Sequence, residues 1–155
     1  MDKSVIEIVN GLCFDIERDL VLAIIKTESG GVRGRTRYEP AYRYFHRVDY
    51  FANLIGVTRQ TETIGQMTSH GMMQVMGSVF RELGYMGTWP EAGWDVAVGL
   101  KYGVMKFKQC FAKYGRDGGI AAYNAGTPRM INGKYVNQEY VDKVLKQYNI
   151  LTKSN

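Results

Sequence analysis

Cysteine, histidine, long apolar runs and strand-like alternation are all scarce in this chain of 155 residues, and each scarcity excludes something. Two cysteines cannot build a disulfide-dense scaffold. Cys13 and Cys110 lie far apart in sequence, which leaves one bridge open but points rather to two free, buried thiols. Cys110 falls on a helical face with Phe107, Phe111 and Tyr114, which suits a buried thiol. Two histidines, His46 and His70, are too few for a His-rich metal site, so neither a metal nor a cofactor is expected. His70 follows Ser69 directly, and adjacency alone does not make a nucleophile–base pair. No apolar run approaches the roughly 20 residues that span a bilayer, so no membrane insertion is expected. The opening MDKSVIEIVNGLCFDIERD has no long apolar centre and no small-residue cleavage site, unlike a secretory signal. Lys and Arg give a net charge of +5 but are scattered. That charge favours anionic partners in general, while the absence of a basic block or zinc-finger spacing argues against nucleic acid.

What is present is helical periodicity. Neither repeats nor linkers interrupt the chain, and its length suits one domain over 1–155. Ser4 with Glu7 reads as a capping box opening a helix over 4–13, striped by Val5, Ile8, Val9 and Leu12. A second helix runs over about 16–28, with Gly30 and Gly31 to end it. Residues 32–68 are rich in aromatics and arginine and read as short helices and loop, one helix opening at Pro40 and another over Val48–Ile55. A clearer helix starts near Gly71, with Met72, Met76, Val79 and Leu83 as its stripe and Gly84 as its end. Asp95 is a good N-cap for a long helix carrying Val96, Leu100, Val104, Phe107, Phe111 and Tyr114, in which Gly99 and Gly103 admit a close neighbour. Asp117 opens a short helix that Gly126 and Pro128 stop. Asn132-Gly133 marks a turn or hairpin tip, and Asn137 caps a last helix with Val141, Val144, Leu145 and Tyr148 on one face. The expectation is a compact all-α domain of about seven helices with at most a small hairpin.

One carboxylate disturbs this pattern. Ile25, Ile24 and Val21 precede Glu28 by three, four and seven residues, so Glu28 continues an apolar helix face. A carboxylate there is costly unless it is paired, protonated or used. Two further stretches, SHGMMQVM (69–76) and AAYNAG (121–126), also set small residues beside polar ones at expected helix ends. Such ends carry unpaired backbone groups that a ligand can use. Gly71 admits close backbone approach, Gln74 has reach, and Tyr123 and Asn124 add a hydroxyl and an amide.

Taken in order, E-S-G at Glu28, S-x-G-x-M-Q at Ser69, Gly71, Met73 and Gln74, and A-Y-N-A-G at Ala122 to Gly126 resemble the soluble lytic transglycosylases, which share a fold with goose-type lysozyme. The resemblance covers residues 16 to 126. It implies a lysozyme-like fold and cleavage of the β-1,4 bond between N-acetylmuramic acid and N-acetylglucosamine in peptidoglycan. Glu28 matches the family's catalytic acid. Its place on an apolar face near a helix C-terminus is expected to favour the protonated form. Tyr123 matches a tyrosine near the acid, and Gln74, the Met73 backbone and Asn124 match positions that contact sugar, with Ser69 and Gly71 in the same motif.

The chain departs from the family in one respect. In many relatives the glutamate lies much closer to the G-x-M-Q motif, whereas here Ser69 follows Glu28 by 41 positions. The added segment holds Glu39, Asp49 and Glu62, of which Glu39 and Glu62 are candidate second acids for a hydrolase. Transglycosylases of this family manage with one acid and leave a 1,6-anhydro sugar. The primary expectation is such an enzyme, monomeric, with peptidoglycan glycan strands as substrate. The alternatives are a hydrolytic goose-type lysozyme (endolysin) using Glu28 with Glu39 or Glu62, and a non-catalytic wall-binding or structural virion module. The missing signal peptide suits a phage lysin, a virion-associated enzyme or a protein exported by special apparatus. The aromatics Tyr38, Tyr42, Tyr44 and Phe45 read as core or as platforms for sugar faces.

Overall fold

The structure, a computed structural model, describes residues 1–13, 16 and 18–153. In chain order its elements are α1 (Lys3–Leu12), α2 (Arg18–Ser29), β1 (Thr36–Tyr38), α3 (Val48–Ile55), α4 (Arg59–Gln66), β2 (Thr68–His70) and β3 (Val75–Met76). They continue with α5 (Gly77–Glu82), α6 (Trp89–Trp94), α7 (Val96–Ala125), β4 (Met130–Ile131), β5 (Lys134–Tyr135) and α8 (Gln138–Lys153). Helix dominates and the strands form only small antiparallel sheets, so the described residues make the mostly-α, lysozyme-like fold class expected from sequence. None of the helices among the described residues is long and apolar enough to cross a membrane. The chain divides into two compact units, one formed by Met1–Gly30 with Val104 onward, the other by Gly31–Gly103.

The first unit is built on α2. Leu20, Val21, Leu22, Ala23, Ile24 and Ile25 are all buried, as expected for a helix apolar on every side. It packs along α8, whose Val141 and Val144 are fully buried, and against α1 through Val5 and Val9. Helix α1 is capped by Asp2, whose carboxylate accepts from the Ser4 N–H, so the expected Ser4–Glu7 box is not the cap. An aspartate two residues earlier offers its oxygen to the first-turn donors. The expected start of α2 over 16–17 includes Glu17, which lies outside the described residues. Helix α7 is broken at Gly115 (φ 71°, ψ −169°), so the long and short helices read from sequence are both present, joined at a residue that only glycine adopts easily. β4 and β5 pair through Asn132 (φ 51°) and Gly133 (φ 75°), a turn with both central residues left-handed. Cys13 and Cys110 are free and half-buried, and burial pushes both thiols up.

The second unit holds an antiparallel sheet in the order β1-β2-β3, with Arg37 opposite Ser69 and Ser69 opposite Met76. The helix expected from Gly71 is therefore a correction. Gly71 (φ 76°) and Gln74 (φ 49°) turn the chain from β2 to β3, and the helix begins only at Gly77. The expected helix from Pro40 is also absent. A lone turn from the Glu39 carbonyl to the Tyr42 N–H stands there. The chain is held extended because the Tyr42 hydroxyl is bonded to Ser78 and its ring packs edge-on against Tyr44 and Phe45. Helices α4 and α5 meet backbone to backbone, since a Cβ on Gly77 would lie 2.1 Å from the Gly65 carbonyl oxygen.

The centre of this unit is a buried ion pair. The Arg81 Nε and Nη2 donate to the two Glu62 oxygens at 2.8 and 3.0 Å, and both side chains are fully buried. Nη1 reaches the carbonyls of Tyr85 and Gly87, while Gln66 donates to Glu62 and exchanges hydrogen bonds with the His46 backbone. The guanidinium lies over the rings of Trp89, Phe51 and Tyr85 at 4.1, 4.7 and 5.3 Å. Every charge here has a partner, the condition under which burial of an ion pair is tolerable.

Candidate active site

Glu28 sits in the last turn of α2, half-buried, between two hydroxyls bonded back to their own helix: Thr27 to the Ala23 carbonyl and Ser29 to the Ile25 carbonyl. Its Oε1 accepts a 2.7 Å hydrogen bond from the Tyr140 hydroxyl. Tyr140 comes from the first turn of α8, which α2 packs along, so the helix pair that forms the core also delivers this contact. Burial first, then the nearby Glu28 carboxylate, push the Tyr140 phenol well above its ordinary range. The same two causes, in the same order, act on fully buried Tyr123. Both tyrosines therefore stay neutral and can only donate toward the carboxylate. Lys106 lies 4.3 Å over the Tyr123 ring and Phe107 meets its edge. Asn124, next along, is exposed, and its Oδ1 accepts from Asn137 at 2.9 Å.

The second unit gathers the S-x-G-x-M-Q residues. Gln74 does not extend outward from a helix; it closes the β2–β3 turn. Its Nε2 donates to the carbonyls of Arg35 and Gly71 at 2.9 and 2.8 Å, and its Oε1 accepts from the Ser69 hydroxyl at 2.9 Å. The amide thus ties the residue before β1 to the turn. Met73 is fully buried against Gly103, where a Cβ would fall 2.4 Å from its sulfur, so the glycine is needed for the methionine to seat. His70 faces the other way along β2 from Ser69. Its Nε2 meets the Gly65 carbonyl at 2.9 Å and therefore carries the proton, and its ring stacks on Trp89 at 5.0 Å. Burial, followed by a smaller effect of Arg81, outweighs the Gly65 hydrogen bond and lowers its pKa.

Of the two candidate second acids, Glu62 is enclosed in the Arg81 pair described above. Glu39 is paired with Arg37 at 2.5 Å, and its side chain is about one-third exposed, at 34%. Among the described residues no group of three or more His, Cys, Asp or Glu side chains is placed to hold a metal ion.

The family model described as the transglycosylase SLT domain matches residues 8–146. The chain belongs to this family. No curated protein and no solved structure gives a significant match. Members of the SLT family are peptidoglycan lytic transglycosylases, so this SLT domain is an enzyme that cleaves glycosidic bonds, with peptidoglycan as substrate.

Within the SLT domain, the structure brings Glu28, Tyr123 and Tyr140 together in the first unit, where Asn124 follows Tyr123 and is bonded to Asn137, and gathers Ser69, Gly71, Met73 and Gln74 in the second. Sequence reasoning missed Tyr140. The available signal was its spacing of four from Val144, which puts it on the buried face of α8 beside Val141. It also missed Asn137 as anything but a cap, and Arg81 as the partner of Glu62.

Proposed function

We propose that the enzyme is a lytic transglycosylase with a single carboxyl group doing both proton transfers. Glu28 first protonates the glycosidic oxygen between N-acetylmuramic acid and N-acetylglucosamine. As a carboxylate it then accepts the proton of the muramic 6-hydroxyl, which attacks within the same sugar and leaves a 1,6-anhydro end. The attack is intramolecular and gains from proximity. The observation that carries this reading is the Tyr140–Glu28 hydrogen bond. A neutral donor binds the carboxylate more strongly than the acid, so the contact strengthens as the proton leaves, where it lowers the barrier. In the first unit Asn124 faces the glycan beside Tyr123; in the second, the backbone around Met73 is the sugar contact, and Ser69, Gly71 and Gln74 hold its turn in shape. The Arg81 pair supports the one-carboxylate form, since Glu62 is fully buried and held by arginine and glutamine, out of reach of an attacking water.

A second reading rests on Glu39. It is the candidate acid that solvent reaches, and a hydrolase would use it to activate water, giving reducing ends. Mass analysis of digested peptidoglycan separates the two. Products one water lighter than the reducing sugar support the transglycosylase; reducing-end products together with a folded but inactive Glu39→Gln variant support hydrolysis.

A further inference from the structure

Asn137 stands just before α8, where an asparagine side chain ordinarily accepts from the first-turn N–H groups. Its backbone carbonyl does start the helix, accepting from the Tyr140 and Val141 N–H groups at 2.9 and 3.3 Å. Its side chain goes elsewhere. Nδ2 donates to the Ala121 carbonyl at 3.0 Å and to Asn124 Oδ1 at 2.9 Å. The contact with Ala121 decides how both amides are turned. A backbone carbonyl only accepts, so the Asn137 atom beside it is the NH2 group. The second hydrogen of that nitrogen faces Asn124, and the Asn124 atom that meets it must be the oxygen. Asn124 therefore spends its acceptor inward and turns its own NH2 outward on an exposed side chain.

We propose that Asn137 is a positioning residue that makes Asn124 a hydrogen-bond donor toward the glycan, so that the substrate group read there is an acceptor oxygen, of the kind an acetamido carbonyl or a sugar hydroxyl presents. The inference rests on the reading above that Asn124 lines the glycan site. The choice of residue supports it. Asn137 Oδ1 is buried with no hydrogen-bond partner, a penalty that a serine or threonine cap would avoid. What a serine or threonine lacks is a nitrogen with two hydrogens, one for Ala121 and one for Asn124. The same amide links the end of α7 to the residue that opens α8, whose first turn carries Tyr140.

The test is Asn137→Asp. Aspartate keeps the shape and caps a helix well, but has no donor. Asn124 must then turn its NH2 inward to meet the carboxylate and show its oxygen to the substrate. Losing one reading hydrogen bond predicts about a tenfold fall in kcat/KM on peptidoglycan, beside a lower Tm because the Ala121 carbonyl also loses its donor. Asn124→Asp, which leaves Asn137 its partner and also shows an oxygen outward, should fall as far. In an Asn124→Ala background, Asn137→Asp should have no further effect on kcat/KM; multiplying losses would overturn the proposal. Hydrogen exchange of the side-chain amides reads the orientation without activity. The Asn137 NH2 protons should exchange slowly and those of Asn124 fast, and in Asn137→Asp the Asn124 protons should become slow. Slow Asn124 protons in the wild type, or no change in the variant, would refute the orientation. A wild type that cleaves no peptidoglycan would instead sink the functional reading, with the exchange result still deciding the amide geometry.

Discussion

Replacing Tyr140 with phenylalanine removes one oxygen and leaves the ring in its place on α8. The hydroxyl it deletes lies 2.7 Å from Glu28 Oε1. Hydrogen bonds to charged groups contribute about 1.5–3 kcal/mol, and each 1.36 kcal/mol is tenfold in rate. The contact matters most once Glu28 has become a carboxylate, so the loss should fall on the chemical step, at about 10- to 100-fold. Folding should suffer little. Glu28 is half-buried, so water can replace the lost donor, and the destabilisation should be about 1 kcal/mol or less. Initial rates of turbidity loss on purified cell walls, beside thermal melting, measure both quantities. A folded Tyr140→Phe protein with wild-type rate would refute the role given to this hydroxyl. A large fall in Tm with proportionate loss of activity would make the tyrosine a packing residue only.

Two further outcomes concern the second unit. Glu62→Gln keeps the side chain's shape but leaves the buried Arg81 charge uncompensated, which should cost about 3–5 kcal/mol of stability; an unchanged denaturant midpoint would contradict the structural role of the pair. His70 adds a pH dependence. Its folded pKa lies below the ordinary 6.5, so below that pH the unfolded state binds more protons and stability is lost as pH falls towards the folded value. Stability should be level just above 6.5 and decline below it through this group, and His70→Phe should flatten part of that decline in denaturant titrations at several pH values.

Much of the helical frame was legible because it is written in local periodicity. The unbroken apolar run of α2, the Val141–Val144 face of α8, the bounds Val48–Ile55 and the Asn132-Gly133 turn each follow from a few adjacent residues. The sheet was not legible because its strands are two or three residues long, too short for alternation to register. Met72, Met76 and Val79 imitate a helical stripe although Met72 sits in a turn and Met76 in a strand. In the site, the motifs pointed to Glu28, Tyr123 and Asn124, but Tyr140 meets Glu28 across 112 residues of sequence and only the α2–α8 packing reveals it. Glu62 read as one of two spare carboxylates because nothing local announces that Arg81, 19 residues on, is buried against it.

The central claim is that Glu28 carries the proton, and Glu28→Gln tests it most directly. Glutamine keeps the size, can still receive the Tyr140 hydrogen bond, and cannot transfer a proton. General acid catalysis contributes about 10²–10⁴-fold, so release of muropeptides from purified peptidoglycan should fall by at least about 100-fold while the melting curve stays close to that of the wild type. A well-folded Glu28→Gln protein that releases muropeptides at the wild-type rate would contradict the account.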